Sequence, residues 1–410
     1  MTLEMNKKKI FNDPVYGFVS VPYGILFELV EHPYFQRLRR IRQLGLTDYV
    51  YPGALHTRFH HALGALHLMG QAIGVLRSKG VAISPAEEEA VSIAILLHDI
   101  GHGPISHALE HTLVNVHHEQ LSLFFMQELN EQFDGRLDLA IRIFENRYAK
   151  PFLHQLISGQ LDMDRMDYLN RDSFFTGVSE GVIGYDRITK MLTVRDGELL
   201  VEEKGIYSIE KFLVARRLMY WQAYLHKTVL AAEQMLIRTL RRAKALAQAG
   251  ENISVPGALN EFLNTEFTLA DFERDRRRLL DYFADLDDFD VMMALKIWQK
   301  HPDPILALLS RGLVQRRLFR VEIKKIPFER DHLEKIRHKV VDRYGSMDEA
   351  ALDHLVFQGQ ESNSAYKVSK EEINILYKDG RILPMSEASD QGIDPKIITK
   401  YYLCYPKNIC

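Results

Sequence analysis

Residues 87–107 read EEEAVSIAILLHDIGHGPISH, and this stretch decides the fold class. The acids follow Ser84-Pro85, a start signal, and stand where the N-terminal turn of a helix favours negative charge. Residues 90–97 are then apolar nearly all round, which predicts a helix buried on every side. That run stops at His98-Asp99, followed at once by Gly101, His102, Gly103, Pro104 and His107. A carboxylate beside an apolar helix is costly unless a cation or hydrogen bonds compensate it, and a bound metal supplies that compensation. Adjacent His and Asp offer one nitrogen and one oxygen donor. Two more donors would close a mixed site suited to Fe, Mn, Zn, Ni or Co rather than to calcium.

The missing donors have candidates on either side. Upstream, LHTRFHHALG (residues 55–64) offers His56, His60 and His61, and His61 opens a helical pattern through Leu63, Leu66 and Met69. Downstream, LDMDRMDYLNRD (residues 161–172) offers Asp162, Asp164, Asp167 and Asp172. On a helix, Asp164 and Asp167 are i, i+3 neighbours while Asp162 turns away, so one carboxylate can enter a site that others brace. A single helical histidine is more often a hydrogen-bonded core or surface residue than a ligand. Three separated clusters, each beside apolar helix, reverse that balance.

His61, His98-Asp99 and Asp164 match an H…HD…D signature, and in this the chain resembles the HD-domain phosphohydrolases, whose four signature side chains hold a catalytic metal. YPGALHTRFHHALG, LLHDIGHGPISH, HHEQ, LDMDRMDYLNRD and AYLHK, in this order, narrow the resemblance to the deoxynucleoside triphosphate triphosphohydrolases, bacterial dGTPases among them. It runs from about Lys9 to about Arg242 and continues weakly at RRLFR, residues 316–320. The resemblance implies metal-dependent cleavage of deoxynucleoside triphosphates, dGTP among them, into deoxynucleoside and triphosphate by a metal-activated water. Mg would accompany the triphosphate.

Carried over position by position, the resemblance makes His102 and His107 the catalytic-side histidines. His107 becomes the acid for the leaving 5′-oxygen, Glu110 its orienting partner, and His118 and Glu119 a further pair lining the site. Arg58, Arg165, Lys227 and Arg216 match triphosphate-holding positions; Gln43 and Tyr224 match sugar contacts, with Tyr168 packed beside them. Arg165 stands where relatives often have Lys, which replaces a point cation by a planar fork, and Tyr220 stands where vertebrate members have His. The segment between His107 and His118 is shorter than in those members. NDPVYG and EHPYFQRLRRIRQLG resemble a regulatory nucleotide-binding segment, with Gln36 and Arg39 matching and Glu31 replacing an Asp. A homo-oligomer, dimer or tetramer, is implied as well.

The rest of the chain frames this core. Its 410 residues are 46% hydrophobic, enough for a large core and two or three domain-sized units. A net charge of -3 gives no overall drive toward nucleic acid, membrane or acidic partners, so any anion site must be local. RLRRIR, residues 37–42, accordingly reads as a solvated helix face or interface. Only two cysteines occur, Cys404 and Cys410, which suits a reducing cytoplasm, and no apolar run approaches the roughly 20 residues that span a bilayer.

The expected fold is mainly α. Residues 1–250 form an HD-type helical core with an extended lead-in and a hairpin at 192–203 around Asp196-Gly197, and residues 251–317 a helical extension. A long helical pattern runs from Ile209 to Ala247. Strand-like runs at 318–326, 354–359, 373–383 and 400–406, with a helix near 331–344, suggest a small C-terminal α+β subdomain over 318–410. Two other functions compete: a phosphohydrolase of nucleoside monophosphates, cyclic nucleotides or another phosphate ester, whose mark would be few cations around the metal, and a non-catalytic nucleotide or single-strand nucleic-acid binding module.

Overall fold

The computed structural model describes residues 8–105, 112–255, 257–363, 372–390 and 397–409, so His107 and Glu110 lie outside the described residues. The chain opens with an antiparallel hairpin, β1 (Lys8–Asp13) and β2 (Gly17–Pro22). The Asp13 carboxylate shapes its turn by accepting from the Val15 and Tyr16 amides, both at 2.9 Å. Helices α1 (Ile25–Glu31) and α2 (Pro33–Gln36) follow, broken at Pro33.

The helical core comprises α3 (Arg58–Ser78), α4 (Pro85–Leu97), α5 (His118–Gln132), α6 (Asp138–Phe144), α7 (Pro151–Gln155), α8 (Met163–Thr176) and α9 (Tyr185–Met191). Helix α3 packs against both α4 and α8, while α6 covers the other side of α4, so residues 90–97 are buried throughout. This sandwich carries the ends of α4 and α8 to the first turn of α3.

The start of α4 is a reciprocal capping box: Ser84 Oγ accepts from the Glu87 amide at 3.2 Å and Glu87 returns the bond to the Ser84 amide at 2.8 Å. Burial opposes the Glu87 charge, but Lys150, the Ser84 amide and the Tyr148 hydroxyl outweigh it and hold the carboxyl at about 2, against an ordinary 4.5. A depressed carboxyl contributes stability fully above its unfolded value and loses it as pH falls through the folded one. Acid unfolding should therefore draw on this cap between about pH 4.5 and 2. Glu87→Gln should flatten the fall in melting temperature across that window, and an unchanged slope would remove the cap from the explanation.

Strands β3 (Leu192–Arg195) and β4 (Glu198–Glu202) form the expected hairpin, with Asp196 and Gly197 both at positive φ. The long helical pattern that follows is interrupted. Helix α10 (Ile206–Met219) passes into a π turn over Tyr220–Tyr224, where the Leu225 amide reaches back to the Tyr220 carbonyl, and α11 (Lys227–Gln248) starts afresh with His226 as its cap. The aromatic run YWQAY satisfies the 3.6-residue period well enough to hide one extra residue per turn, and such π turns occur often at functional sites.

Helices α12 (Ala258–Asn264), α13 (Leu269–Arg274), α14 (Arg276–Asp285), α15 (Asp288–Trp298) and α16 (Pro304–Val314) form the helical extension, with α16 packed on α11 and α15. The C-terminal part holds β5 (Arg320–Lys324), α17 (Arg330–Tyr344), α18 (Glu349–Leu355), β6 (Phe357–Asn363), β7 (Asn374–Leu376), β8 (Ile382–Pro384), α19 (Met385–Ala388) and β9 (Ile398–Tyr405). The strand expected from residue 354 begins only at Phe357. Asp348 caps a helix there instead, its carboxylate accepting from the Ala351 amide at 2.7 Å.

Nor do residues 318–410 close on themselves. β9 lies between β5 and β6, antiparallel to both, whereas β7 joins β4 in parallel, so β7 and β8 complete a four-stranded sheet begun by the hairpin. The free edge of β4 exposes unpaired amides and carbonyls that β7 satisfies. No described helix is long and apolar enough to cross a membrane.

Candidate metal centre

Four donors converge where three helices meet. His61 stands one turn into α3, His98 is the C-cap of α4 with Asp99 after it, and Asp164 lies in the first turn of α8. The two Nε2 atoms of His61 and His98 are 3.4 Å apart, and Asp164 Oδ1 lies 3.2 Å from the first and 3.6 Å from the second. Asp99 Oδ1 is 3.4 Å from His98 Nε2, and its Oδ2 is 3.8 Å from His61 Nε2. Donors about 2.1 Å from a transition-metal cation stand about 3.0–3.4 Å from one another, close to this spacing.

The hydrogen bonds behind the rings test the fit. His61 Nδ1 donates to Asp167 Oδ2 at 2.7 Å, and His98 Nδ1 donates to the Ile95 carbonyl at 2.7 Å. A neutral imidazole that donates from Nδ1 bears a lone pair on Nε2, so both lone pairs face one point. Their approach demands positive charge between them. Burial opposes charge on His61, yet the carboxylates of Asp164 and Asp167 prevail and raise its pKa to about 10. Burial likewise opposes ionisation of Asp99 and Asp164, but the neighbouring histidines, with Arg58 beside Asp99, hold both carboxyls below the usual range. The residues fit a divalent cation.

A buried chain of charges orients the ligands. Asp167 accepts from Arg171 at 2.9 and 3.0 Å, and Arg171 donates at 2.8 Å to Asp13 at the end of β1, so the hairpin is tied to His61 through two ion pairs. Gly64 faces this network, and a Cβ there would fall 2.0 Å from Asp167 Oδ1 and 2.2 Å from the Arg171 guanidinium. Glycine inside α3 is thus the condition for the network to exist. Asp162 caps α8, accepting from the Arg165 amide at 2.7 Å. On the α4 side, Ser122 Oγ donates to the His98 carbonyl at 2.7 Å and accepts from the Gly101 amide at 2.9 Å, locking the HD turn to α5.

A cavity of about 520 Å³ opens from the centre. Arg58, Asp99, His102, His118 and Asp164 line its metal side; Gln43, Thr47, Tyr168, Asp172, Tyr220 and Tyr224 line another wall. Arg58 pairs with Asp99. His102 stacks on His118 with ring centroids 3.9 Å apart, and burial, with the Arg58 charge adding to it, holds its pKa well below the ordinary histidine value. It is a neutral ring. Asp172 accepts from the Tyr224 hydroxyl at 2.7 Å and meets His56 Nε2 at 2.7 Å, and the π turn is what aims Tyr224 at it.

Other residues singled out in the sequence sit elsewhere. Arg165 reaches Asp162 and the Gly159 carbonyl, and that carboxylate raises its pKa. Neither it nor Arg216 and Lys227, which flank the π turn, lines the cavity. Glu119 is exposed and shares a second cluster of possible donors with His117 and His118. Arg39 donates to Gln36 at 2.8 Å and lies over the Phe59 ring, Gln36 donates to the Val30 carbonyl at 2.7 Å, and Glu31 is exposed at the end of α1. Arg39 also lines a separate cavity of about 280 Å³ with Arg40 and Arg42.

Thr47, His56, Asp172, Glu233, Gln234 and Glu361 belong to the site region without having been assigned a role from the sequence. Asp172 was visible as an acid in LDMDRMDYLNRD, and Glu233 interrupts the apolar face of LAAEQML. Glu361 carries no local signal, since a carboxylate on an amphipathic strand is ordinary.

Two family models match: the HD domain over residues 58–172 and an HD associated region over residues 183–254. A phosphohydrolase of Bacteroides thetaiotaomicron has a similar crystal structure, with a TM-score of 0.93 and 50% identity, covering 97% of this chain and 100% of that one. An uncharacterised protein of Bacillus subtilis is 29% identical over 99% of this chain and 94% of its own length. The deoxynucleoside triphosphate triphosphohydrolase homologue of Dictyostelium discoideum is 28% identical over 64% of this chain and 54% of its own length, so the chain spans about half of that relative.

Proposed function

The chain belongs to the HD-domain phosphohydrolases, and on that premise we propose that it cleaves deoxynucleoside triphosphates into deoxynucleoside and triphosphate. One observation carries the reading: Asp99 and Asp164 of the four-donor centre line a cavity of about 520 Å³, inside the roughly 300–1,000 Å³ range of ligand sites. The similarity to a named triphosphohydrolase supports the same substrate class.

His61, His98, Asp99 and Asp164 would hold the cation, which when bound polarises a phosphoryl oxygen and makes a water acidic enough to attack. Arg58, at the rim of this centre, brings fixed positive charge to the phosphate. Neutral His102 has an uncharged ring nitrogen that can accept a proton. Tyr224 and Asp172, already hydrogen-bonded to each other, offer a donor and an acceptor to a sugar hydroxyl, while Tyr168 packs beside them.

A second reading has a specific observation behind it. Arg58 is the one Lys or Arg among the described residues lining the cavity, and Arg165 is engaged by Asp162. So few cations suit a phosphate monoester as well as a polyphosphate. Ion chromatography of Mn- or Fe-loaded protein with the four dNTPs, GTP, dGMP and cyclic nucleotides separates the two. Triphosphate appearing with free deoxynucleoside is the expected result. Phosphate from dGMP, or opening of a cyclic ester, without triphosphate, would keep the centre and replace the substrate.

A further inference from the structure

The cavity has a wall that contributes no metal ligand. Glu233 and Gln234 reach it from α11, and Glu361 from β6 of the C-terminal sheet, and Leu44, Leu230 and Ile237 line the same cavity. Two carboxylates facing one cavity are unusual company for a phosphorylated substrate. Among the described residues, neither Glu233 nor Glu361 has a hydrogen-bond or ion-pair partner. Burial, and then the charge of Glu361, push the Glu233 carboxyl up to about 8, and two N–H donors from a ligand would draw it back to the ionised, double-acceptor form. Both side chains are half-buried in the cavity wall, where a ligand that displaces water must supply the donors these acceptors would lose.

We propose that Glu233 and Glu361 form the base-reading end of the cavity and take a nucleobase that presents two adjacent N–H donors on one edge, as guanine does. The proposal rests on the nucleotide reading above and assigns the base. A carboxylate has two acceptor oxygens side by side, which match the N1–H and 2-amino donors of guanine in a bidentate pair. Adenine and cytosine set their single amine beside an acceptor, and thymine flanks its N3–H with two carbonyls, so each would turn a lone pair toward a carboxylate. Leu44, Leu230 and Ile237 supply apolar surface for the ring faces. The C-terminal sheet thereby becomes part of the active site through Glu361.

The test is calorimetric titration of the full chain with 2′-deoxyguanosine, 2′-deoxyinosine and thymidine. Deoxyinosine lacks only the 2-amino donor. Wild type should bind deoxyguanosine about tenfold or more tighter than either of the others, the discrimination expected when a buried acceptor is left unpaired. Glu233→Gln puts an amide donor where an acceptor stood, and that variant should lose most of the ratio. Glu361→Gln, on an edge strand where folding is least at risk, should reduce it as well. Equal binding of the three nucleosides by wild type, or an unchanged ratio in both variants, overturns the proposal. So does a Mn site that survives Asp164→Ala and disappears in Glu233→Gln, because a cation would then be what the pair holds. Nucleoside binding needs neither metal nor hydrolysis. A chain that releases no triphosphate can still show the ratio, and one that releases it from every dNTP can lack the ratio.

Discussion

Asp164→Ala is expected to abolish metal retention and hydrolysis together while leaving the chain folded. Asp164 Oδ1 lies 3.2 Å from His61 Nε2 and 3.6 Å from His98 Nε2, so it bridges both rings, and without it two imidazole lone pairs and Asp99 remain. Losing a group that merely orients a ligand costs about 10–100-fold in metal affinity, so losing the ligand itself should exceed that. Packing is spared: the side chain is 27% exposed, and the α8 cap belongs to Asp162. Metal content per chain after Mn loading and dialysis, read beside far-UV circular dichroism and turnover, measures all three. Retained metal with normal turnover would refute the centre as described.

Arg171→Ala is expected to cost the most stability of any single change in the core. The side chain is fully buried and is the only cation between Asp13 and Asp167 among the described ion pairs. Removing one partner of a buried pair leaves uncompensated charge and typically costs roughly 3–5 kcal/mol. Here two buried carboxylates lose the cation that neutralises them, one of which holds His61. Equilibrium denaturation should therefore show a loss of that size, and the variant should also bind Mn more weakly because the His61 ring loses its anchor. A loss below about 1 kcal/mol would mean that water or rearrangement replaces the guanidinium, against the buried geometry.

The clusters of the candidate centre were legible because each sets polar groups against an apolar helix. His98 and Asp99 end a helix apolar on all sides, His61 opens another buried helix, and Asp164 lies among four acids from which the family resemblance picks it. The helix start at Ser84-Pro85, the hairpin at Asp196-Gly197 and the break at Pro33 were legible because each depends on residues within four positions of one another. Arg165 shows the limit. Its place in LDMDRMDYLNRD suggests a phosphate-facing cation, but the choice between a substrate and Asp162 is set by where the Gly159 carbonyl and the cap of α8 come to rest.

By itself, then, the sequence determined a mainly helical chain and its three His/Asp clusters, through periodicity, caps and polar groups placed against apolar runs, while the choice of His61, His98, Asp99 and Asp164 came from the family resemblance. Tertiary structure alone decided the rest. The π turn that aims Tyr224 at Asp172 is a one-residue change in a pattern whose period it hardly disturbs. The pairing of β4 with β7 and the arrival of Glu361 beside Glu233 join segments far apart in the chain. Strand partners are chosen by which free edge the packed helices leave open, and buried acids meet only when two layers close over one cavity. Neither choice leaves a mark in the residues nearby.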